Sequence, residues 1–393
     1  MTNHSVCVVT GSRAEFGLLR RLIDRLYAAP VMDMRLVVTG SHLDPAFGST
    51  QNEVEASGLP IHAKLPIPLE GDTKTAMVKA TAQAMSRFAD YFTENRPELL
   101  IVLGDRYEIF AAVSAAALLG IPIAHIHGGE TTEGAVDEFL RHAITKMSYL
   151  HFTSCEEYRR RVIQLGESPE RVFSVGALGV ENAVKLPPMP LEELQESIGF
   201  LLAGKPFSIV TFHPVTLEDD TARCQMGELI RAIDEFPDMN FVITKANADA
   251  GGREINRIWD DEGKKRSNWI VVPSLGARRY LSALKYAQMI LGNSSSGILE
   301  APALHIPTVN IGDRQKGRMM ADSVICCEPK ADEILAAMRY AVSPEGRARA
   351  AHAPCPFGNG ETSERIANII LSFLDTPEKN MKKSFYDVSF EGS

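Results

Sequence analysis

The chain has 393 residues, of which 45% are hydrophobic and 23% charged, and a formal net charge of −9. This is the composition of a globular protein with apolar residues for more than one core, and at roughly 150 residues per domain the length suits two large α/β domains. The acidic balance excludes a general nucleic-acid binder, which presents a basic face. The opening MTNHSVCVVTG runs directly into strand-like sequence without a basic segment and a long apolar stretch behind it, and no apolar run approaches bilayer-spanning length. A cytoplasmic location and no membrane partner are expected. Cys7, Cys155, Cys224, Cys326, Cys327 and Cys355 show no Cys-x-x-Cys or zinc-like spacing, which predicts reduced thiols without disulfides or structural zinc.

In chain order, short β-branched runs alternate with longer amphipathic stretches. Strands are predicted at 6–10, 36–39, 99–103, 121–126, 150–153 and 172–175, and helices at 18–28, 75–92, 109–119 and 138–147. The alternation predicts βαβ units and a parallel sheet, and the strands are nearly all apolar because parallel strands are covered on both faces. The rhythm weakens at 176–190, where Gly176, Gly179 and Pro187-Pro188-Met189-Pro190 read as a linker. A second set of strands follows at 207–212, 241–244, 269–272, 289–291, 308–311 and 324–326, then a helix at 364–374 and a polar, partly mobile tail at 376–393. The fold class is therefore α/β, with two doubly wound parallel-sheet (Rossmann-like) domains at 1–178 and 179–361.

The first strand leads into Thr10-Gly11-Ser12-Arg13-Ala14-Glu15-Phe16-Gly17. Glycine permits a tight turn, the helix start offers unpaired N–H groups, and Arg13 can fork onto phosphate. Neither Gly-x-Gly-x-x-Gly nor a Gly-Lys-Ser/Thr ending is present, so a dinucleotide fingerprint and a P-loop are both excluded. The plain alternative is an ordinary strand-to-helix turn with a surface Arg.

Gly104-Asp105-Arg106 and His125-Ile126-His127-Gly128-Gly129-Glu130 close two further strands, and Asp137-Glu138 and Arg141-His142 lie on the next helix. Ionisable groups at strand ends and helix starts are where an open α/β sheet places its ligand site. His125 and His127 alternate along a strand and so share a face, but the spacing matches no zinc signature, and acid/base chemistry is preferred to a metal. Asp105, Glu130, Asp137 and Glu138 are carboxyl groups that a closed site can push to different pKa values. As solvated helix caps they would be inert, a description that suits Glu138 best.

In the second half, Gly292-Asn293-Ser294-Ser295-Ser296-Gly297 places three hydroxyls and two glycines between a strand and a helix. That is a cradle for phosphate oxygens, and Glu300, one turn on, can accept two ribose hydroxyls, although serine clusters also serve as N-caps. His213-Pro214 and Asp313-Arg314-Gln315-Lys316-Gly317-Arg318 follow two other strands, and 244–252 is either a binding loop or a turn.

In this order the motifs resemble the hydrolysing UDP-N-acetylglucosamine 2-epimerases of sialic-acid and legionaminic-acid biosynthesis, over nearly the whole chain. The resemblance implies a GT-B-like fold with an interdomain active-site cleft, helix 362–378 packed back on the first domain, a homodimer or homotetramer, and no cofactor. It implies that Arg13, His213, Ser294, Ser295, Glu300, Arg314 and Arg318 surround UDP, with Glu300 on the ribose, and that Asp105, Glu130 and Asp137 work near the sugar. Arg106, Ser296 and Gly297 complete the substrate-binding set. Many relatives carry Glu at the third position of the His-Ile-x-Gly-Gly-Glu segment, where this chain has His127. An imidazole titrates near neutral pH, so His127 joins the catalytic set, and the order of acid, base and water activator within it stays open.

The expected reaction takes UDP-GlcNAc, or UDP-2,4-diacetamido-2,4,6-trideoxyglucose, and water to UDP and the free mannose-configured sugar through a glycal. The alternatives are a non-hydrolysing 2-epimerase, which keeps UDP on the sugar, and a GT-B glycosyltransferase. A nucleotide-sugar sensor ranks below them, because binding alone does not require so many clustered carboxylates.

Overall fold

The computed structural model describes residues 3–44, 50–67, 73–132, 136–214, 222–246, 252–376 and 382–389. Two compact units emerge, Met1–Glu181 with Gly360–Ser393, and Asn182–Asn359.

The first unit carries strands β1 (His4–Thr10), β2 (Met32–Thr39), β3 (Ile61–Leu65), β4 (Leu99–Leu103), β5 (Ile123–Ile126), β6 (Leu150–Thr153) and β7 (Val172–Ser174). Its helices are α1 (Arg13–Ala28), α2 (Gln51–Ala56), α3 (Lys74–Glu94), α4 (Tyr107–Leu118), α5 (Val136–Met147), α6 (Glu156–Gln164) and α7 (Leu178–Lys185). The seven strands form one parallel sheet in the order β3-β2-β1-β4-β5-β6-β7. Side chains alternate across it: Val6, Val8, Leu99 and Ile101 face one apolar layer, Cys7, Val9, Leu100 and Val102 the other. Each fully buried aliphatic side chain is worth roughly 1.5–3 kcal/mol of transfer free energy, so both layers are needed to hold the sheet.

The second unit has α8 (Leu191–Ile198), β8 (Phe207–Thr211), α9 (Ala222–Asp234), β9 (Asn240–Thr244), α10 (Gly252–Gly263), β10 (Trp269–Val272), α11 (Gly276–Tyr286), β11 (Ile290–Gly292), α12 (Ser296–Ala303), β12 (Thr308–Ile311), β13 (Val324–Cys327), α13 (Ala331–Val342) and α14 (Pro344–His352). Its six strands run parallel in the order β10-β9-β8-β11-β12-β13. The chain then returns to the first unit as α15 (Thr362–Asp375), whose Ile366, Ile370 and Leu374 join the core beneath α1. Strand order reverses between β1 and β4 in one sheet and between β8 and β11 in the other, and such reversals are where open α/β sheets leave room for a ligand.

Three expectations need correction. The stretch 176–190 is not simply a linker, since 178–185 forms α7, with Leu178, Val180 and Ala183 buried. The prolines that suggested a linker lie beyond that helix, and Glu181 takes hydrogen bonds from Ser363 N (2.7 Å) and Oγ (2.7 Å) at the start of α15. The edge strand β3 is absent from the predicted set because it is half-exposed and its pattern alternates instead of running apolar.

The tail needs only a partial correction: its described residues 382–389 are polar-rich and exposed as expected, but Lys383 anchors them. Lys383 Nζ donates to Lys146 O (2.9 Å) and Ser148 O (2.5 Å) and pairs with the buried Glu167 (2.6 Å). Lys146 (2.6 Å) and His151 (3.0 Å) hold the same carboxylate. Residues 377–381 and 390–393 lie outside the described set. Among the described residues no helix is long and apolar enough to cross a membrane.

Burial favours the protonated form of Glu167, but His151, Lys146 and Lys383 outweigh it and bring the carboxyl down to about 2. A depressed carboxyl contributes stability that is present above its ordinary pKa and is lost as pH falls toward 2. Lys383→Met should lower stability at pH 7 by about 2 kcal/mol in urea titrations and move the acid-unfolding midpoint to higher pH.

Candidate active site

At the reversal in the first sheet, β1 ends in Thr10 and α1 starts behind Ser12, whose Oγ accepts from Glu15 N at 3.4 Å while Glu15 Oε2 accepts from Gly11 N at 2.7 Å. This reciprocal arrangement resembles a capping box and leaves Arg13 at the helix surface, paired with Glu53 at 3.1 Å. Ser41 Oγ (2.9 Å) and His42 N (3.3 Å) donate to Gly11 O, fixing the turn from the β2 side. His42 also hydrogen-bonds Thr10 and Thr50, and burial takes its imidazole down to about 4.

Across the reversal, β4 ends in Gly104-Asp105-Arg106. Asp105 is clamped by Arg141 of α5, which donates to its Oδ2 through Nε (2.7 Å) and Nη2. The same guanidinium reaches Glu130 O (2.8 Å), Glu138 Oε2 (2.8 Å) and Thr132 Oγ1 (2.8 Å) and is only 4% exposed. Burial works against its charge, but Asp105, Glu130 and Glu138 together raise its pKa. Asp137, in the first turn of the same helix, is pushed up by burial and then by the charge of Asp105. Glu138, which also accepts from Thr132 N (2.6 Å) and pairs with His142 (3.2 Å), is drawn down despite its desolvation.

The two histidines of the third loop part company. His125 lies within β5, fully buried, with Nε2 on Gly104 O (2.8 Å) and Nδ1 beside Thr145 Oγ1 (3.2 Å), and burial takes it down to about 3. His127 falls one residue past the strand at φ +67°, so the expected shared strand face is broken. Its Nδ1 is 3.6 Å from Glu130 Oε1, which accepts from Ser154 Oγ at 2.9 Å. Asp105, His127, Glu130 and Asp137 are therefore gathered about the Arg141 network with Arg106 alongside, while Arg13 stands apart in its pair with Glu53.

In the second unit, β11 ends in Gly292 at φ +132°, where a Cβ would lie 2.0 Å from Thr211 O, so only glycine permits the two strand ends to approach. Asn293 then joins the loops. It exchanges hydrogen bonds with His213 (Oδ1 to N 2.7 Å, Nδ2 to O 2.8 Å), and its carbonyl accepts from Arg314 Nη1 (3.0 Å) and Gln315 Nε2 (2.9 Å). Ser294, Ser295 and Ser296 lead into α12, and Ser294 Oγ accepts from Ser296 N at 3.4 Å. Ser296 Oγ, Glu300 Oε2 and the Tyr280 hydroxyl are buried polar atoms without a hydrogen-bond partner among the described residues, and burial raises Glu300. Ser296 is a polar neighbour of both Glu300 and Tyr280 and opposes the upward push of burial on each, so the three form one buried polar cluster at the start of α12. Gly297 instead gives room for packing: a Cβ there would meet Thr308 Cγ2 at 2.7 Å. Arg318 donates its backbone N–H to Gln315 O (3.3 Å) in the same loop as Arg314, and 247–251 of the glycine-pair loop lie outside the described residues.

The model of the family described as UDP-N-acetylglucosamine 2-epimerase matches residues 24–371. The chain belongs to this family. The 2-epimerase chain is 38% identical to the polysialic acid biosynthesis protein P7 of Escherichia coli, over 98% of its own length and 97% of that protein. It is 38% identical to the hydrolysing GDP/UDP-N,N'-diacetylbacillosamine 2-epimerase of Campylobacter jejuni, over 84% of its length and 85% of that protein. Its fold is similar to the crystal structure of UDP-GlcNAc 2-epimerase from Neisseria meningitidis bound to UDP-GlcNAc, with a TM-score of 0.80 at 18% identity, covering 94% of this chain and all of that one. The two doubly wound parallel-sheet domains of GT-B-like type are thus borne out.

Sequence reasoning gave no role in this 2-epimerase to Arg141, Asn293, Tyr280, Glu15 or Glu108. The spacing Ser12-x-x-Glu15 was the available signal for one of them; the others depend on contacts between distant segments. Replacing Arg141 with Met should leave Asp105 and Glu138 facing each other without their cation. A loss of about 3 kcal/mol in urea unfolding is expected.

Proposed function

We propose that the chain is a hydrolysing UDP-N-acetylhexosamine 2-epimerase acting on UDP-GlcNAc or on UDP-2,4-diacetamido-2,4,6-trideoxyglucose. One observation carries the chemistry: Asp137, pushed toward its protonated form, sits near Asp105, which is locked in an ion pair with Arg141. Two carboxyl groups driven toward different protonation states are what an acid and a base in one site require. The identity of more than a third with a relative named as a hydrolysing 2-epimerase supports the reaction class.

In this reading a base of the Asp105, His127, Glu130 and Asp137 set removes the C2 proton as the C1–O bond breaks, giving a glycal and UDP. Water then adds at C1 while C2 takes a proton on the opposite face, so nucleotide sugar and water become UDP and the free mannose-configured sugar. Charge develops on the departing diphosphate, and cationic or N–H donors there lower the barrier most when they meet that charge better than the ground state. Arg13, Arg106, Arg314, Arg318 and the Ser294–Ser296 loop are assigned to this task with His213, and Glu300 to the ribose, while Gly297 keeps the loop packed against Thr308. The enzyme works in the cytoplasm as a homodimer or homotetramer in this reading.

Following both nucleotide sugars by NMR in D2O tests it. Free hexosamine carrying deuterium at C2 is expected. Product without deuterium would sink the elimination scheme, and UDP-ManNAc would show a non-hydrolysing enzyme. Asp105→Asn and Asp137→Asn should each lower kcat by about 10²-fold or more while UDP affinity changes little. His127→Gln should slow turnover and His127→Glu restore part of it; unchanged turnover in both would remove His127 from the mechanism.

A further inference from the structure

At the reversal of the first sheet two buried carboxyl groups and one guanidinium have no role in the scheme above beyond the substrate contact given to the Arg. Glu15 comes from the first turn of α1, Glu108 from the first turn of α4, and Arg106 stands between β4 and α4. Arg106 Nε donates to Glu108 Oε1 at 2.5 Å and lies 3.8 Å from Glu15 Oε1. Glu15 Oε1 and Glu108 Oε2 are buried and accept no hydrogen bond from the described residues.

Room for this group is provided by the backbone. A Cβ on Gly11 would stand 2.6 Å from Glu108 Cγ, and one on Gly40 would stand 3.0 Å from Glu108 Oε1. Two glycines on different loops therefore leave space for one side chain. Burial and then the charge of Glu108 raise Glu15 to about 8, and burial raises Glu108 although Arg106 opposes it. Two buried carboxyl groups side by side resist ionising together, and the Arg106 guanidinium is the cation that faces them.

With Nε taken, Arg106 keeps its two terminal nitrogens, which hydrogen-bond to none of the described residues. A planar guanidinium fixed at one edge presents its remaining donors in a set direction, which suits a phosphate group. We propose that Glu108, backed by Glu15, is a positioning residue for Arg106, holding the guanidinium next to Asp105 to receive the diphosphate of the substrate. This rests on the reading of the substrate as a nucleotide sugar.

The test is a double-mutant cycle of Glu108→Gln and Arg106→Gln in the full chain, reading kcat/KM, the Kd for UDP by calorimetry, and urea unfolding. Each single variant should lose about 10-fold or more in kcat/KM and in UDP affinity, and the double variant should be no worse than Arg106→Gln alone. Glu108→Asp, which keeps the acceptor, should recover part of the loss. Additive losses, or a Glu108→Gln defect confined to stability, would overturn the proposal. Should Glu108→Gln fail to fold, Glu15→Gln and Gly11→Ala, the latter displacing Glu108, carry the same cycle with the same two outcomes. Wild-type protein that releases no UDP from either nucleotide sugar would overturn the functional reading and this inference together, whereas active wild type with uncoupled variants overturns the inference alone.

Discussion

The carboxyl edge of the first sheet depends on one buried guanidinium. Arg141 ties the loop after β4, through Asp105, to the loop after β5, through Glu130 O and Thr132, and to its own helix through Glu138. Taking a cation and two carboxylates out of water costs several kcal/mol, so the network contributes less to stability than its contact list suggests. What it does contribute is geometry, because two loops and the start of a helix are fixed against one planar group with donors in set directions. Asp137 is pushed upward first by its burial and then by that arrangement, which places the charge of Asp105 close to it.

Topology explains why these segments meet. In each sheet the strand order reverses at one point, so neighbouring strand ends send their loops to opposite sides and leave a gap. The first unit fills the edges of that gap with titratable groups, and the second with hydroxyls, a buried Asn and two arginines on one loop. The proposed function assigns proton transfer to the first set and anion binding to the second, each placed on a parallel sheet.

Much of this was legible in the sequence. Strand 99–103, LLIVL and fully buried, carries its boundaries in a continuous apolar run, because a strand covered on both faces admits little else, whereas 150–153 and 308–311 include the buried polar residues His151, Thr153, Thr308 and Asn310. Loops closing such strands advertise their chemistry through Gly, Asp, Arg and Ser. Less legible were features decided by tertiary contact. Helix α7 was obscured by prolines that follow it, β3 by its exposed face, and the Lys383 anchor by the polar composition of the tail. The two histidines separated by one residue looked equivalent, yet the positive φ at His127 places one inside the sheet and the other at its rim. The link from Arg141 to Asp105, the approach of Glu15 to Arg106 and the bonds of Asn293 to His213, Arg314 and Gln315 join segments tens of residues apart, which no local pattern encodes.

The return of the chain to its first unit has a consequence for biosynthesis. Helix α15 supplies Ile366, Ile370 and Leu374 to the core beneath α1, and Lys383 supplies a cation to the buried Glu167. Both are translated only after the whole of the second unit. On the ribosome the second unit can therefore close its core as soon as it emerges, whereas the first, although synthesised earlier, waits with an apolar groove open and a buried acid short of one partner. Order of synthesis and order of completion are thus inverted for the first unit, whose core closes only when the last segment of the chain has been made.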